Sequence, residues 1–270
     1  MGYELRVTLF GTSLLQNGHQ RSQITRAQNR GLLALLALNA NIFVTYDWAI
    51  EALWGGRPPS SARTQIHTGV HAIRRALRKL AAEDLLTSNS CGYALRIDPG
   101  QVDATLFERK VQQARSASAV DNHDEATTLL EEGLALWSGP ALGDAAGAFV
   151  AGARQRLDQQ RASAIEDLIA LEMRAGRHTD VVDRFSAVID QFPLRERLRG
   201  QLMLAQFRAG NKVAAIENYQ QFRTQLADKI GLDPSPQLRA LQHAIIRDDI
   251  SLDGSAQQFA TPFDSAIPVV

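Results

Sequence analysis

Between Arg57 and Lys79 the chain carries six basic residues and no acidic one. Within that run Thr68, His71, Ala72 and Arg75 are spaced to share one face of a helix. A guanidinium can pair with guanine O6 and N7, and threonine and alanine methyls suit a thymine methyl, so these four are the base-reading candidates. Arg63 and Gln65 in the first turns, and Arg74, Arg78 and Lys79 on the flanks or at the end, are the candidates for DNA phosphates. The free N–H groups at the start of the helix would assist Arg63 and Gln65. The competing account of such a run is a solvated helix face.

Other constellations yield no chemistry. His67 and His71 stand four apart, as two metal ligands on a helix would, but no Cys or carboxylate cluster supplies a third ligand. Cys91 has no identifiable base partner, and it reads as a small half-buried side chain beside a strand. Gly55-Gly56-Arg57-Pro58-Pro59 lacks the Gly-Lys-Ser/Thr of a phosphate loop. The pairs Asp124-Glu125, Glu131-Glu132 and Asp248-Asp249 read as exposed helix charges. The expectation is therefore no catalytic residue, no cofactor and no metal, hence no enzyme. Trp48, Trp54, Trp137, Phe185 and Tyr219 read as core, given the area aromatics bury.

The elements that must position the basic face follow from periodicity. Tyr3–Phe10 alternates as a half-buried strand, and a second short strand near Ser13–Gln16 sits between Gly11 and Asn17-Gly18. Ala27–Ala40 reads as a nearly all-apolar helix, ended by Asn39 and Asn41. Thr45 caps a second helix, Tyr46–Trp54, which Gly55-Gly56 stops. The third helix, Ser61–Leu80, is capped by Ser60 or Ser61. In it Ile66, Val70, Ile73, Leu77 and Leu80 form one buried stripe, opposite Thr64, Thr68, His71, Ala72, Arg75 and Lys79. Two short strands around Ser88-Asn89-Ser90 then make a hairpin, the wing of a winged helix. The wing tip is expected to touch the minor groove or the DNA backbone, and, with no arginine there, only weakly.

Past Asp98-Pro99-Gly100 the pattern is helical throughout: near Ala104–Ser118, Asp124–Trp137, Phe149–Ala175, Thr179–Gln191, Leu194–Ala209, Lys212–Lys229 and Pro236–Arg247. Arg174-Ala175-Gly176 recurs 34 residues later as Arg208-Ala209-Gly210, and Leu168/Leu202 and Phe185/Tyr219 repeat at the same offset. Thirty-four is the period of tetratricopeptide units, in which paired helices stack over a shared core. The glycines fall in the turn between the two helices of a unit, where a positive φ is expected. Residues 250–270, rich in Ser, Ala, Gln and Asp, read as a disordered tail. The expected fold class is mainly α: a winged helix-turn-helix over residues 1–98, then an all-α, tetratricopeptide-like repeat domain over 99–249.

Charge supports that division. The 29 basic and 29 acidic residues cancel overall, yet residues 1–100 hold 11 basic against 6 acidic, and the remainder 18 against 23. A cationic half suits a polyanion. The longest apolar run, Leu32–Leu38, is far short of the roughly 20 residues a bilayer span needs, and no secretory signal opens the chain. One cysteine excludes an internal disulfide. These features point to a cytoplasmic protein without membrane partners.

Residues 3–249 resemble the Streptomyces antibiotic regulatory protein family. The likeness rests on Arg30-Gly31-Leu32-Leu33-Ala34-Leu35-Leu36-Ala37-Leu38-Asn39-Ala40, on Glu51-Ala52-Leu53-Trp54-Gly55-Gly56-Arg57-Pro58-Pro59, and on Ile73-Arg74-Arg75-Ala76-Leu77 with Gly92-Tyr93-Ala94-Leu95. It extends to Pro193-Leu194-Arg195-Glu196-Arg197-Leu198-Arg199-Gly200-Gln201-Leu202-Met203 and Gly231-Leu232-Asp233-Pro234. The resemblance implies an OmpR-type winged helix joined to a bacterial transcriptional activation domain. It further implies a nucleoid-associated activator of secondary-metabolite genes that binds direct repeats in double-stranded DNA beside a second protomer and recruits RNA polymerase holoenzyme. Where the family commonly has Ser-Arg-Leu-Arg-Arg, this chain has His71-Ala72-Ile73-Arg74-Arg75, so an expected base-reading arginine is Ala72. No receiver domain is expected before Met1 and no ATPase after Val270. A repeat scaffold that binds protein without specific DNA binding is the alternative, and it predicts no sequence-specific gel shift.

Overall fold

The structure, a computed structural model, describes residues 5–248 and residue 259. These group into two compact units, one of residues up to 113 with 132–160, the other of residues 114–131 with 161 onward.

The first unit opens with an antiparallel sheet of β1 (Leu5–Thr8), β2 (Leu14–Asn17) and β3 (Gln20–Ser22), in that order. Leu5, Val7 and Leu9 are buried, as their alternation requires. Then come α1 (Ala27–Leu38), β4 (Val44–Thr45), α2 (Tyr46–Trp54), α3 (Ala62–Arg78), β5 (Leu86–Ser88) and β6 (Gly92–Leu95). A second antiparallel sheet forms in the order β4-β6-β5. Neither β3 nor β4 was expected, since three and two residues are too short to show a period. β4 depends on Gly92, where a Cβ would lie 2.0 Å from the carbonyl oxygen of Val44.

Thr45 caps α2 as expected, its hydroxyl accepting from the Trp48 N–H at 3.2 Å. Trp48 itself is 40% exposed, contrary to the core reading. It sits in the first turn, while α2 buries Ala49, Ala52 and Leu53 instead. Cys91 is exposed rather than half-buried, because it lies in the wing turn, where the Asn89 side chain accepts the Cys91 and Gly92 N–H groups.

Residues 135–147, which read as part of the second half of the chain, return to the first sheet. Phe10 bridges Ala141, the Leu142 N–H donates to Leu9 O, and the Ala146 N–H donates to Ala27 O. The helix expected over Asp124–Trp137 ends at Leu134, which frees Trp137 to stack on Phe10 with ring centroids 3.8 Å apart. The Asp103 carboxylate accepts the N–H groups of Leu9 and Phe10 at 2.8–2.9 Å. Burial pushes this carboxyl up to about 6 against the pull of those donors.

Three helices, α4 (Asp103–Ala119), α5 (His123–Leu134) and α6 (Ala148–Arg174), contribute to both units. The second unit continues with α7 (His178–Ile189), α8 (Glu196–Arg208), α9 (Lys212–Ile230) and α10 (Pro236–Arg247). The 34-residue repeat is reproduced at its helix ends. Gly176 and Gly210 have φ of +76° and +83°. Each is followed by a residue whose N–H reaches back five positions, Arg177 to Glu172 O at 3.0 Å and Asn211 to Gln206 O at 2.8 Å. This is the Schellman closure, which needs a left-handed residue at that point. Leu168, Leu202, Phe185 and Tyr219 are all buried. The Arg195–Met203 segment packs internally: Arg195 meets Glu166 at 3.0 Å and Arg199 meets Asp190 at 2.9 Å. The tail expected to be disordered lies outside the described residues except for Phe259, which is buried.

Candidate nucleic-acid interface

The site is built on α3. Ile66, Val70, Ile73, Leu77 and Leu80 are each no more than 1% exposed. Burying that stripe turns the opposite side outward, where Thr64, Thr68, His71, Arg75, Arg78 and Lys79 are exposed and Ala72 is half-buried. The helix begins after Pro59, whose carbonyl accepts the Ala62 N–H at 2.9 Å. Ser61 occupies the cap position without making a side-chain cap. Its hydroxyl instead accepts from Gln65 Nε2 at 3.0 Å, so Gln65 is half-buried and engaged at the helix start.

Thr68 donates its hydroxyl proton to Thr64 O at 3.0 Å. What it offers outward is a methyl and an oxygen with free lone pairs, suited to thymine or to an exocyclic amino group. Among the described residues no hydrogen bond or ion pair holds the Arg75 side chain, which lies free along the outer face. Arg74 and Arg78, both expected to meet phosphates, have protein partners. Arg74 donates to the wing hydroxyl of Ser88 at 3.2 Å and lies 6.0 Å from the Tyr93 ring centre. Arg78 pairs with Glu83. Arg63 is exposed, its guanidinium 4.5 Å over the Tyr46 ring.

One edge of α3 is thus locked to the wing sheet. His67 Nδ1 and Tyr93 Oη share a hydrogen bond of 2.8 Å, and Tyr46 Oη lies 3.4 Å from Tyr93 Oη. Burial, with Tyr46 alongside, pushes the Tyr93 phenol up to about 12, so it holds its proton. This cluster ties His67 to β6, and the wing residues Ser88, Asn89 and Ser90 are exposed. The wing turn is closed by Asn89.

The other edge of α3 approaches the start of α1. At Gly69 a Cβ would lie 2.9 Å from Leu32 Cδ2 and 3.2 Å from Asn29 Oδ1. Between the helices opens a concavity of about 630 Å³, lined by Thr25, Arg26 and Asn29 on one side and Thr68, His71, Ala72, Arg74, Arg75 and Arg78 on the other. Four arginines and no carboxylate line it. The N-cap position of α1 is Arg26, which makes no side-chain cap, and no acidic residue sits in the first turn. The positive end of the helix dipole therefore adds to the guanidiniums. Sequence reasoning missed Thr25, Arg26 and Asn29 because α1 read as a buried apolar rod; its uncapped basic start was the available signal. Among the described residues no three His, Cys, Asp or Glu side chains converge as a metal site, and no helix is long and apolar enough to cross a membrane.

Residues 102–246 match the bacterial transcriptional activator domain family. The chain is 35% identical to the regulatory protein AfsR of Streptomyces griseus, over 98% of its own length and 26% of that protein's. It is 33% identical to the regulatory protein DnrI of Streptomyces peucetius, over 88% of this chain and 90% of that one. It thus spans about a quarter of AfsR and most of DnrI. Among solved structures, Mycobacterium tuberculosis EmbR, in complex with a low-affinity phosphopeptide, superposes with a TM-score of 0.83 at 29% identity, over 96% of this chain and 69% of EmbR.

Proposed function

The chain belongs to the bacterial transcriptional activator domain family, as the Streptomyces antibiotic regulatory proteins do, and on that premise we propose that it is a sequence-specific DNA-binding activator of secondary-metabolite genes. The observation that carries the proposal is the outer face of α3, with Thr68, His71 and Arg75 exposed beside a carboxylate-free, arginine-lined concavity. A helix about 10–12 Å across fits a major groove about 12 Å wide. Thr68 to Arg75 spans roughly 10 Å of helix, or about three base-pair steps. Thr68, His71, Ala72 and Arg75 read that stretch, while Arg63, Gln65, Arg74, Arg78 and Lys79 meet phosphates on either side. Ser88, Asn89 and Ser90 rest on the neighbouring backbone. Residues 1–98 carry this recognition, and residues 99–249 offer their helices to RNA polymerase holoenzyme. Direct repeats about one turn apart place a second protomer head to tail on the same side of the duplex. The protein works in the cytoplasm, at the nucleoid.

DNase footprinting on promoters neighbouring its gene, with gel shifts over a salt series, tests this reading. Protected direct repeats and a log–log salt slope of about −5 to −7, for roughly 6–8 neutralised phosphates, are expected. A flat salt response without a footprint refutes it and favours the protein-binding scaffold.

A further inference from the structure

In the second unit one contact is not part of the helix-pair packing. Phe259 stands twelve residues beyond the end of α10 at Arg247, yet it is only 4% exposed. A Cβ on Gly200 of α8 would lie 2.3 Å from Cε1, 2.5 Å from Cδ1 and 2.8 Å from Cζ of Phe259, and those three atoms would be its nearest neighbours. The ring therefore fills the space that any side chain at position 200 would take. Beside it Gln201 is fully buried. Its amide nitrogen donates to Glu166 O of α6 at 2.8 Å and to Phe259 O at 3.1 Å. Its Oε1 has no donor among the described residues. Leaving a buried acceptor unpaired is unfavourable, so this position is suited to a further N–H from whatever sits there.

A slot for a ring next to an amide that binds main chain has the two parts of a peptide-recognition site: a side-chain pocket for specificity and a main-chain contact for register. Stacked helical repeats commonly present such sites. We propose that Gly200 and Gln201 form a socket for a peptide segment bearing an aromatic residue, and that this chain's own Phe259 occupies it in cis. The closed socket keeps the repeat unit from taking up an aromatic segment in trans. A tether of this length gives an effective concentration on the order of mM, so a peptide at μM concentration competes poorly with the resident ring.

The test uses the full chain and a fluorescein-labelled peptide of residues 253–265, followed by anisotropy. The Phe259→Ala chain should bind that peptide at least about tenfold more tightly than the wild-type chain, whose socket is filled. A peptide carrying the same Phe259→Ala change should bind neither chain, and adding Gly200→Val to the Phe259→Ala chain should abolish binding. Equal binding by wild type and Phe259→Ala, or binding that survives Gly200→Val, overturns the proposal. Gly200→Ala, which leaves the tail intact, gives an independent reading. It should speed chymotryptic cleavage after Phe259 about tenfold relative to cleavage after Phe263, as read by mass spectrometry. An unchanged ratio overturns the socket.

Discussion

Replacing Arg75 with alanine separates base reading from simple charge attraction. The side chain is exposed, with no intramolecular hydrogen bond or ion pair to lose among the described residues. In the free protein the change removes only a cation from the last turn of α3, about 0.3–1 kcal/mol of helix-dipole interaction, so the fold should survive. On DNA a bidentate contact to guanine is worth about 1–3 kcal/mol of discrimination, which is roughly a 5- to 140-fold loss on the cognate site. Binding to random DNA should hardly change, and the salt slope should stay within a few tenths of wild type. Fluorescence anisotropy with cognate and scrambled duplexes over a salt series measures both quantities. Arg78→Ala is the internal comparison. Its guanidinium is already shared with Glu83, and its loss should weaken all sequences alike while lowering the slope by about 0.9. If Arg75→Ala behaves as Arg78→Ala is expected to, weakening both duplexes equally and lowering the slope, Arg75 contacts a phosphate and the base-reading assignment is refuted.

Ala72→Arg should change the preferred base at one position of the half-site in a randomised-site selection, because residue 72 lines the concavity between Arg26 and Arg75; an unaltered preference removes Ala72 from the reading face. Gly31→Ala should lower Tm by roughly 6–12 °C, for overpacking of about 3 kcal/mol. Its Cβ would lie 2.0 Å from the main-chain oxygen of Ala146, which has no rotamer with which to yield. The Asp103 carboxyl should titrate near 6 by carbon-13 NMR, well above the 3.8 of a free side chain. A raised acid pKa means that the folded state holds the proton more tightly. This group's contribution of about 3 kcal/mol is therefore fully present below pH 4 and is lost as pH rises through 6, opposite to acid denaturation. A midpoint below 4 would show the Leu9 and Phe10 N–H groups outweighing burial.

The α3 stripe was legible because its 3.6-residue period runs through five apolar positions, and burying one side of a helix leaves its other side exposed. The Thr45 cap and the glycines at 176 and 210 were legible for a similar reason: the first hydrogen bond of a helix and a left-handed backbone each demand particular residue types. The 34-residue repeat followed from pairs on one helix face. β3 and β4 were invisible because so few residues carry no period. The exposure of Trp48 contradicts composition alone, since area is buried only where a neighbouring element arrives to cover it. The partners of Arg74 and Arg78, on the wing and just past the helix, depend on where the chain folds back.

The sequence by itself determined which side of each helix is apolar, where helices begin and end, and that a basic face points outward, because these are properties of residues a few positions apart. Only the tertiary structure decided that the start of α1 completes that face, that residues 135–147 return to the first sheet, and that Phe259 fills the place of a side chain at Gly200. Each of these contacts joins segments more than 35 residues apart, and its geometry follows from how packed elements share space rather than from any local pattern.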